Sequence, residues 1–208
     1  MAVVMLDELR RNGVQNVVIA PGSRSAALSM SALSMGFEVH TEIDERSAGF
    51  FALGLGIEGV PAALVTTSGT AVANLLPAVV EADLSNRPLI VMSADRPPEL
   101  RDRGANQTIE QSGIFGSRVR WEFDPGPAED RPESNDVWRS SICRAVAASR
   151  GLLGDRPGPV HLNVPFREPL VPATDDGRTA ASQFVSGTEG RPDGAPWSAG
   201  GNGERWII

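Results

Sequence analysis

Apolar residues along the chain switch repeatedly between a helical and a strand-like spacing. Val3 to Arg11 carries them at helical spacing and stops at Asn12-Gly13, a helix C-terminal signal. Val14 to Ala20 is a short run rich in Val and Ile, the pattern of a strand buried on both faces of a parallel sheet. Ala26 to Met35 is small and apolar enough for a helix, and Phe37 to Thr41 alternates as strands do. Helical spacing returns at Ala48, Phe51, Ala52 and Leu55, so Asp44-Glu45 falls at a strand-to-helix junction. Ala62 to Thr66 reads as another buried strand, followed by a helical run from Ala71 to Leu84 and a fourth strand from Pro88 to Ser93. Arg118 to Phe123 alternates like a strand, and Pro125 to Pro132 is a proline-rich, acidic surface loop. A helix fits Asn135 to Arg150, with Val137, Ile142, Ala145 and Val146 near one face and Trp138 on its flank or at the surface. Pro159 to Val164 is the last strand. About six strands alternating with helices predict a doubly wound α/β domain over residues 1–168, a mostly parallel sheet with helices on both faces.

The tail differs in kind. Residues 169–203 are dense in Gly, Pro, Ser, Asp and Thr, which predicts a flexible linker with too little apolar surface to fold alone. Residues 204–208, Glu-Arg-Trp-Ile-Ile, read as a strand just beginning, the truncated start of a central domain.

Composition narrows the function. Of 208 residues, 41% are hydrophobic and 22% charged, as in a globular protein. No apolar run approaches the roughly 20 residues that span a bilayer, and charges at Asp7, Glu8, Arg10 and Arg11 interrupt the N-terminus, unlike a signal peptide. A cytoplasmic location is expected. The formal charge of -7 argues against a nucleic-acid binder, which needs a basic face. Cys143 is the single cysteine, and only His40 and His161 accompany it, which excludes an intrachain disulfide and disfavours a transition-metal centre.

Four stretches carry candidate chemistry. Pro21-Gly22-Ser23-Arg24-Ser25 joins a strand to a helix, where Gly and Ser let a ligand approach backbone amides beside a fixed positive charge. It reads as an anion pocket or as an ordinary capped turn; it is neither a Walker loop nor a Gly-x-Gly-x-x-Gly dinucleotide turn. Glu45 is either a helix-capping acid or a functional carboxylate at the C-terminal edge of the sheet, where open α/β proteins place ligands. Thr67-Ser68-Gly69-Thr70 either caps the following helix or binds an anion, with capping favoured. Arg96, Arg101 and Arg103 cluster in a proline-punctuated loop, which is either solvated or suited to a carboxylate or phosphate held by a guanidinium fork.

Taken together with Ala94-Asp95-Arg96-Pro97-Pro98-Glu99-Leu100, Gly104-Ala105-Asn106-Gln107 and Thr67 to Asn74, these stretches resemble, in order and spacing, the N-terminal pyrimidine-binding domain of the 2-succinyl-5-enolpyruvyl-6-hydroxy-3-cyclohexene-1-carboxylate synthase family. The resemblance implies a thiamine diphosphate and Mg2+ enzyme of menaquinone biosynthesis that decarboxylates 2-oxoglutarate and adds the succinyl-semialdehyde unit to isochorismate. By position, Glu45 would be the catalytic carboxylate, bonded to the cofactor's pyrimidine and favouring the imino tautomer that removes the thiazolium proton. Thr67, Ser68 and Gly69 would pack near the pyrimidine, and Ser23, Arg24, Arg96, Asn106 and Gln107 would line the substrate pocket. No metal ligand is assigned to this chain.

The resemblance also implies a homodimer or homotetramer whose sites form between subunits, and a C-terminal domain holding Mg2+ and diphosphate through a Gly-Asp-Gly segment. Gly154-Asp155-Arg156 and Asp193-Gly194 do not continue into that pattern, so the chain alone is expected to be inactive. Two alternatives stand beside this one: a non-catalytic α/β binding module for a small dicarboxylate, and another thiamine diphosphate-dependent carboligase or decarboxylase.

Overall fold

The structure is a computed structural model that describes residues 1–129, 131, 133–171 and 189–198. The remainder of the predicted linker and the strand expected at 204–208 lie outside the described residues. The elements run α1 (Ala2–Arg11), β1 (Asn16–Ile19), α2 (Ala26–Ser34), β2 (Glu38–Thr41), α3 (Glu45–Leu55), β3 (Ala62–Thr66), α4 (Thr70–Ala73), α5 (Leu76–Leu84), β4 (Leu89–Asp95), β5 (Trp121–Phe123), α6 (Ser134–Ser149) and β6 (Pro159–Pro165). The strands form one sheet in the order β2-β1-β3-β4-β6-β5. Every pairing is parallel, as the apolar strand runs predicted.

Successive side chains of a strand point to opposite faces, and the core divides accordingly. Val17, Ile19, Ala63, Val65, Ile90, Met92, Val160 and Leu162 pack against α1, α2 and α6. Val18, Leu64, Val91 and their neighbours pack against α3 and α5 on the other face. β3, β4 and β6 are buried along their whole length. Each large apolar side chain there contributes about 1.5–3 kcal/mol of burial.

The chain reverses direction twice across the sheet. From β1 it moves outward to β2 and returns to β3 on the opposite side; later β5 takes the far edge and β6 fills the gap beside β4. Such switch points part the connecting loops and leave a crevice at the carboxyl ends of the strands.

Three expectations change. The helical run from Ala71 to Leu84 is two helices, broken at Asn74-Leu75, because Pro77 lacks an N–H and fits only the first turn of a helix. Trp138 is buried in the core, on the α6 face shared with Ile142, Ala145 and Val146, whereas Val137 is 47% exposed. The strand expected from Arg118 starts at Trp121, because Gly116–Arg118 closes a 3-10 turn.

Inside the stretch read as a linker, residues 189–198 lie against α1 and α6. Arg11 Nη1 donates to Arg191 O at 2.8 Å, and Trp197 N donates to Glu8 Oε1 at 2.6 Å. Gly190 fits there for want of a side chain: a Cβ would stand 2.6 Å from Arg11 Cζ and 2.8 Å from Arg139 Nη1.

Candidate functional site

The loops that follow β1, β2, β3 and β4 all leave the same edge of the parallel sheet, and these strands are neighbours in space. That edge gathers Ser23 and Arg24 after β1, Glu45 at the start of α3, Thr67 to Gly69 after β3, and Arg96 with its following loop after β4.

At the start of α3 the cap and the candidate carboxylate are different residues. Asp44 is the N-cap and accepts from Ser47 N at 2.8 Å; that bond holds its carboxyl below the usual carboxylate range. Glu45 is the first helical residue and half-buried, and its Oε2 lies 3.5 Å from Asn74 Nδ2, the long end of hydrogen-bond range. The break between α4 and α5 is what brings Asn74 to Glu45.

The turn after β3 does not cap α4 through its hydroxyls, contrary to the reading favoured from sequence. Its N-cap is Gly69, whose φ of 78° suits a residue without a Cβ, and no side chain caps the helix. Buried Ser68 turns instead to the loop after β4: its Oγ donates to Gln107 O at 3.0 Å and accepts from Arg96 Nη1. Gln107 Nε2 returns a bond to Ser68 O at 3.0 Å, and Arg96 Nη1 also donates to Gln107 O at 3.0 Å. These bonds hold Gln107 at a φ of 54°, in the left-handed region.

The turns after β1 and β3 touch directly. A Cβ on Gly22 would stand 2.3 Å from Thr67 Cβ, so only glycine lets these turns meet. Gly22→Ala is expected to cost about 1–3 kcal/mol through overpacking, read as a lower urea midpoint with an unchanged denaturant slope.

Arg24 and Arg96 are both buried. Arg24 Nη1 donates to Phe166 O at 2.9 Å, its Nη2 is 3.8 Å from Glu168, and its Nε is buried without a hydrogen-bond partner among the described residues. Burial lowers the pKa of Arg96, and the nearby Arg24 charge lowers it further against the opposing pull of Asp95. Two buried guanidinium groups of which one acts on the charge of the other favour an anion nearby. Arg101 and Arg103 do not join this pair. Arg101 Nη2 is engaged by Asp95 Oδ2 at 2.9 Å and Asp124 Oδ2 at 3.0 Å, and Arg103 is exposed. Ser23 and Asn106 are exposed at the rim.

A buried polar group behind the crevice escaped sequence reading: Ser93, Asp95, Gln111, His161 and Asn163 are each at most 1% exposed. Burial raises the Asp95 pKa in spite of hydrogen bonding from Asn163 and the Arg101 charge. The available signal was polar residues at His161 and Asn163 within a strand otherwise buried and apolar.

The half-buried carboxyl of Glu45 at this edge suits an aminopyrimidine ring, since a carboxyl can pair with a ring nitrogen. Among the described residues no group of three or more His, Cys, Asp or Glu could hold a metal ion. No helix among them is long and apolar enough to cross a membrane.

The chain is 50% identical over 204 residues to the 2-succinyl-5-enolpyruvyl-6-hydroxy-3-cyclohexene-1-carboxylate synthase of Rhodococcus erythropolis, covering 95% of this chain and 36% of that protein. Similarity to the synthases of the same name from Nocardia farcinica and Mycobacterium tuberculosis is 48%, over 210 and 206 residues and 95% of this chain in each case. The chain spans about a third of the length of these relatives, 37% and 36% for the latter two. Residues 1–114 of the 208 match the family described as thiamine pyrophosphate enzyme, N-terminal TPP binding domain. With a parallel α/β sheet whose loops assemble Glu45, the Gly69 turn and a buried arginine pair at one edge, the chain belongs to the thiamine pyrophosphate enzyme family, as its N-terminal TPP-binding domain.

Proposed function

We propose that this chain is the pyrimidine-binding part of a thiamine pyrophosphate-dependent 2-succinyl-5-enolpyruvyl-6-hydroxy-3-cyclohexene-1-carboxylate synthase, which decarboxylates 2-oxoglutarate and adds the succinyl-semialdehyde unit to isochorismate in menaquinone biosynthesis. The observation that carries this reading is the buried Arg24–Arg96 pair at the sheet edge of a TPP-binding domain. Both substrates are dicarboxylates, and paired guanidinium forks suit them. Relatives bearing this name, similar over 95% of the chain, support it.

Each residue then has a task that the chain itself performs. Glu45 holds a proton at its carboxyl against a pyrimidine ring nitrogen. Thr67, Ser68 and Gly69 form the floor beside that ring. Arg24 and Arg96 bind and orient a substrate carboxylate, with Ser23, Asn106 and Gln107 at the mouth. When bound, thiamine pyrophosphate supplies the electron sink for the decarboxylation and carbon–carbon bond formation. Mg2+ and the diphosphate belong to the rest of the synthase. The enzyme is a cytoplasmic homodimer or homotetramer, and Ile43, Phe50, Phe51, Ile57 and Leu76, all exposed, give the chain apolar surface for such an association.

The test is product formation by the complete synthase from 2-oxoglutarate and isochorismate. Arg96→Ala is expected to lower kcat/KM for that reaction by roughly 10²-fold or more, since a charged hydrogen-bond partner of a buried anion is lost. Consumption of 2-oxoglutarate with a different acceptor would assign another carboligase. Tight binding of 2-oxoglutarate by this chain with no cofactor, abolished by Arg96→Ala, would favour a binding module.

A further inference from the structure

Behind the crevice, three side chains from distant parts of the sequence form a hydrogen-bonded line with a single direction. Gly69 N donates to Gln111 Oε1 at 2.8 Å. Gln111 Nε2 donates to Asn163 Oδ1 at 2.8 Å and to Ala94 O at 3.2 Å. Asn163 Nδ2 donates to Asp95 Oδ2 at 2.9 Å and to Asp124 Oδ2 at 3.0 Å.

The carboxylates at the end of this line set its sense. Ionised, Asp95 and Asp124 only accept, so Asn163 must turn its amide nitrogen to them and its oxygen to Gln111. Gln111 must then give its nitrogen to Asn163, which leaves its oxygen for the Gly69 amide. Ser93 Oγ also donates to Asn163 Oδ1, at 3.1 Å, reinforcing the same orientation. Reversing any one amide would set oxygen against oxygen in a site without exposure, where an unpaired polar group is costly.

Both ends of the line meet candidate site residues. At one end is the Ser68–Gly69 peptide, whose Ser68 side chain holds Arg96 and the Gln107 carbonyl. At the other, Asp95 Oδ1 accepts from Arg96 N at 2.7 Å, and Arg101 Nε donates to Arg96 O at 3.2 Å. The loops after β3 and β4 are thus set relative to each other through Gln111.

We propose that Gln111 is a positioning residue: through the Gly69 amide on one side and Asn163 with Asp95 on the other, it fixes the Thr67–Gly69 turn and the Arg96 loop in the arrangement that receives pyrimidine and substrate. The part of this statement that concerns pyrimidine and substrate rests on the proposed function above. Gln111 touches neither reacting group, so its effect passes through Gly69 and Arg96.

A pair of variants tests it. Gln111→Met keeps the volume and removes the hydrogen bonds to Gly69, Asn163 and Ala94. Gln111→Glu keeps the acceptor for Gly69 but offers Asn163 a donor only while the introduced carboxyl is protonated. Burial and the facing Asn163 and Ala94 oxygens raise the pKa of that carboxyl, as do the charges of Asp95 and Asp124; the Gly69 amide, Arg101 and Arg96 oppose them. Buried glutamates reach values of about 8–9. The variant therefore works at low pH and fails as pH rises through the raised value.

In the 208-residue chain, the Gly69 amide is expected to lose hydrogen-exchange protection in Gln111→Met and to keep it in Gln111→Glu, whose carboxyl accepts from Gly69 at every pH, relative to wild type at each pH. In the complete synthase, turnover is expected to fall on the order of 10²-fold in Gln111→Met, and in Gln111→Glu to decline relative to wild type as pH rises and the donor to Asn163 is lost. Unchanged Gly69 protection in Gln111→Met, or a pH-independent Gln111→Glu, overturns the proposal. So does full turnover in Gln111→Met where Arg96→Ala has lost it. If Arg96→Ala and Gln111→Met both retain full turnover, the functional reading fails, and the Gly69 signal alone decides the positioning role.

Discussion

Glu45→Gln is expected to lower turnover of the complete synthase on the order of 10²- to 10⁴-fold, the usual worth of general acid–base assistance, while this chain keeps its fold. The substitution is isosteric and removes only the ability to hold and share a proton. Stability is not at stake, because Asp44, not Glu45, is the α3 cap that bonds Ser47 N. The hydrogen bond from Asn74 Nδ2 to Glu45 Oε2 is long, 3.5 Å, and can pass to an amide oxygen. Two measurements decide the matter. Turnover and exchange of the cofactor's C2 hydrogen should both collapse in the variant, and the urea midpoint of the 208-residue chain should move by less than the ~1 kcal/mol that loss of a helix cap costs. Normal C2 exchange would return Glu45 to a purely structural role.

Much of the fold was legible because its strands announce themselves. Ala62–Thr66 is apolar, short and followed at once by a hydroxyl-and-glycine turn, and it forms β3 with the bounds read from sequence. A parallel sheet covered on both faces leaves such strands little choice of residue. α6 was harder, because a helix face is set by what packs on it. Val137 and Trp138 are adjacent and both apolar, and only the position of the sheet decides that Trp138 goes inward.

The site divides along the same line. The turns at Gly22, Gly69 and Arg96 could be noticed because each departs from ordinary loop composition within a few consecutive residues. The arrangement behind them could not. Gln111 and Asn163 are 52 residues apart, and Asn163 and Asp95 are 68 apart. Gln111 belongs to no local motif and alone reads as a surface polar residue, and nothing in the sequence around Asp95 or Asn163 names their partners. Arg101 could not be told from Arg96 for a related reason: a guanidinium beside Arg96 in sequence is equally consistent with an anion site, yet Asp95 and Asp124 neutralise it. Arg96 differs in that another arginine, Arg24, acts on its charge alongside Asp95.

The largest loss of stability is expected from Arg139→Ala, about 3–5 kcal/mol, the cost of removing one partner from a buried ion pair. Arg139 is fully buried in α6, and its Nη1 lies 2.9 Å from Asp7 Oδ2 and 2.7 Å from Glu8 Oε2 in α1. Neither carboxylate can escape to water, since Asp7 is 2% and Glu8 0% exposed. Asp7 keeps Arg11, at 2.6 Å. Glu8 Oε1 keeps Trp197 N and Cys143 Sγ, but its Oε2 loses the cation. Arg139→Met, which retains most of the stem, separates charge from packing and should lose nearly as much. Acid provides a further check. Burial works against ionisation of Asp7, but hydrogen bonds and charge from Arg11 and Arg139 outweigh it and hold its pKa below the ordinary 3.8. A carboxylate with a depressed folded pKa adds stability above its unfolded value and loses it as pH falls through the folded one. The Asp7 part of the stability gap between wild type and Arg139→Met should therefore shrink as pH drops below 3.8. Urea titrations at stepped pH would read this directly, and a gap that widened in acid would mean that Arg139 does not stabilise the ionised Asp7.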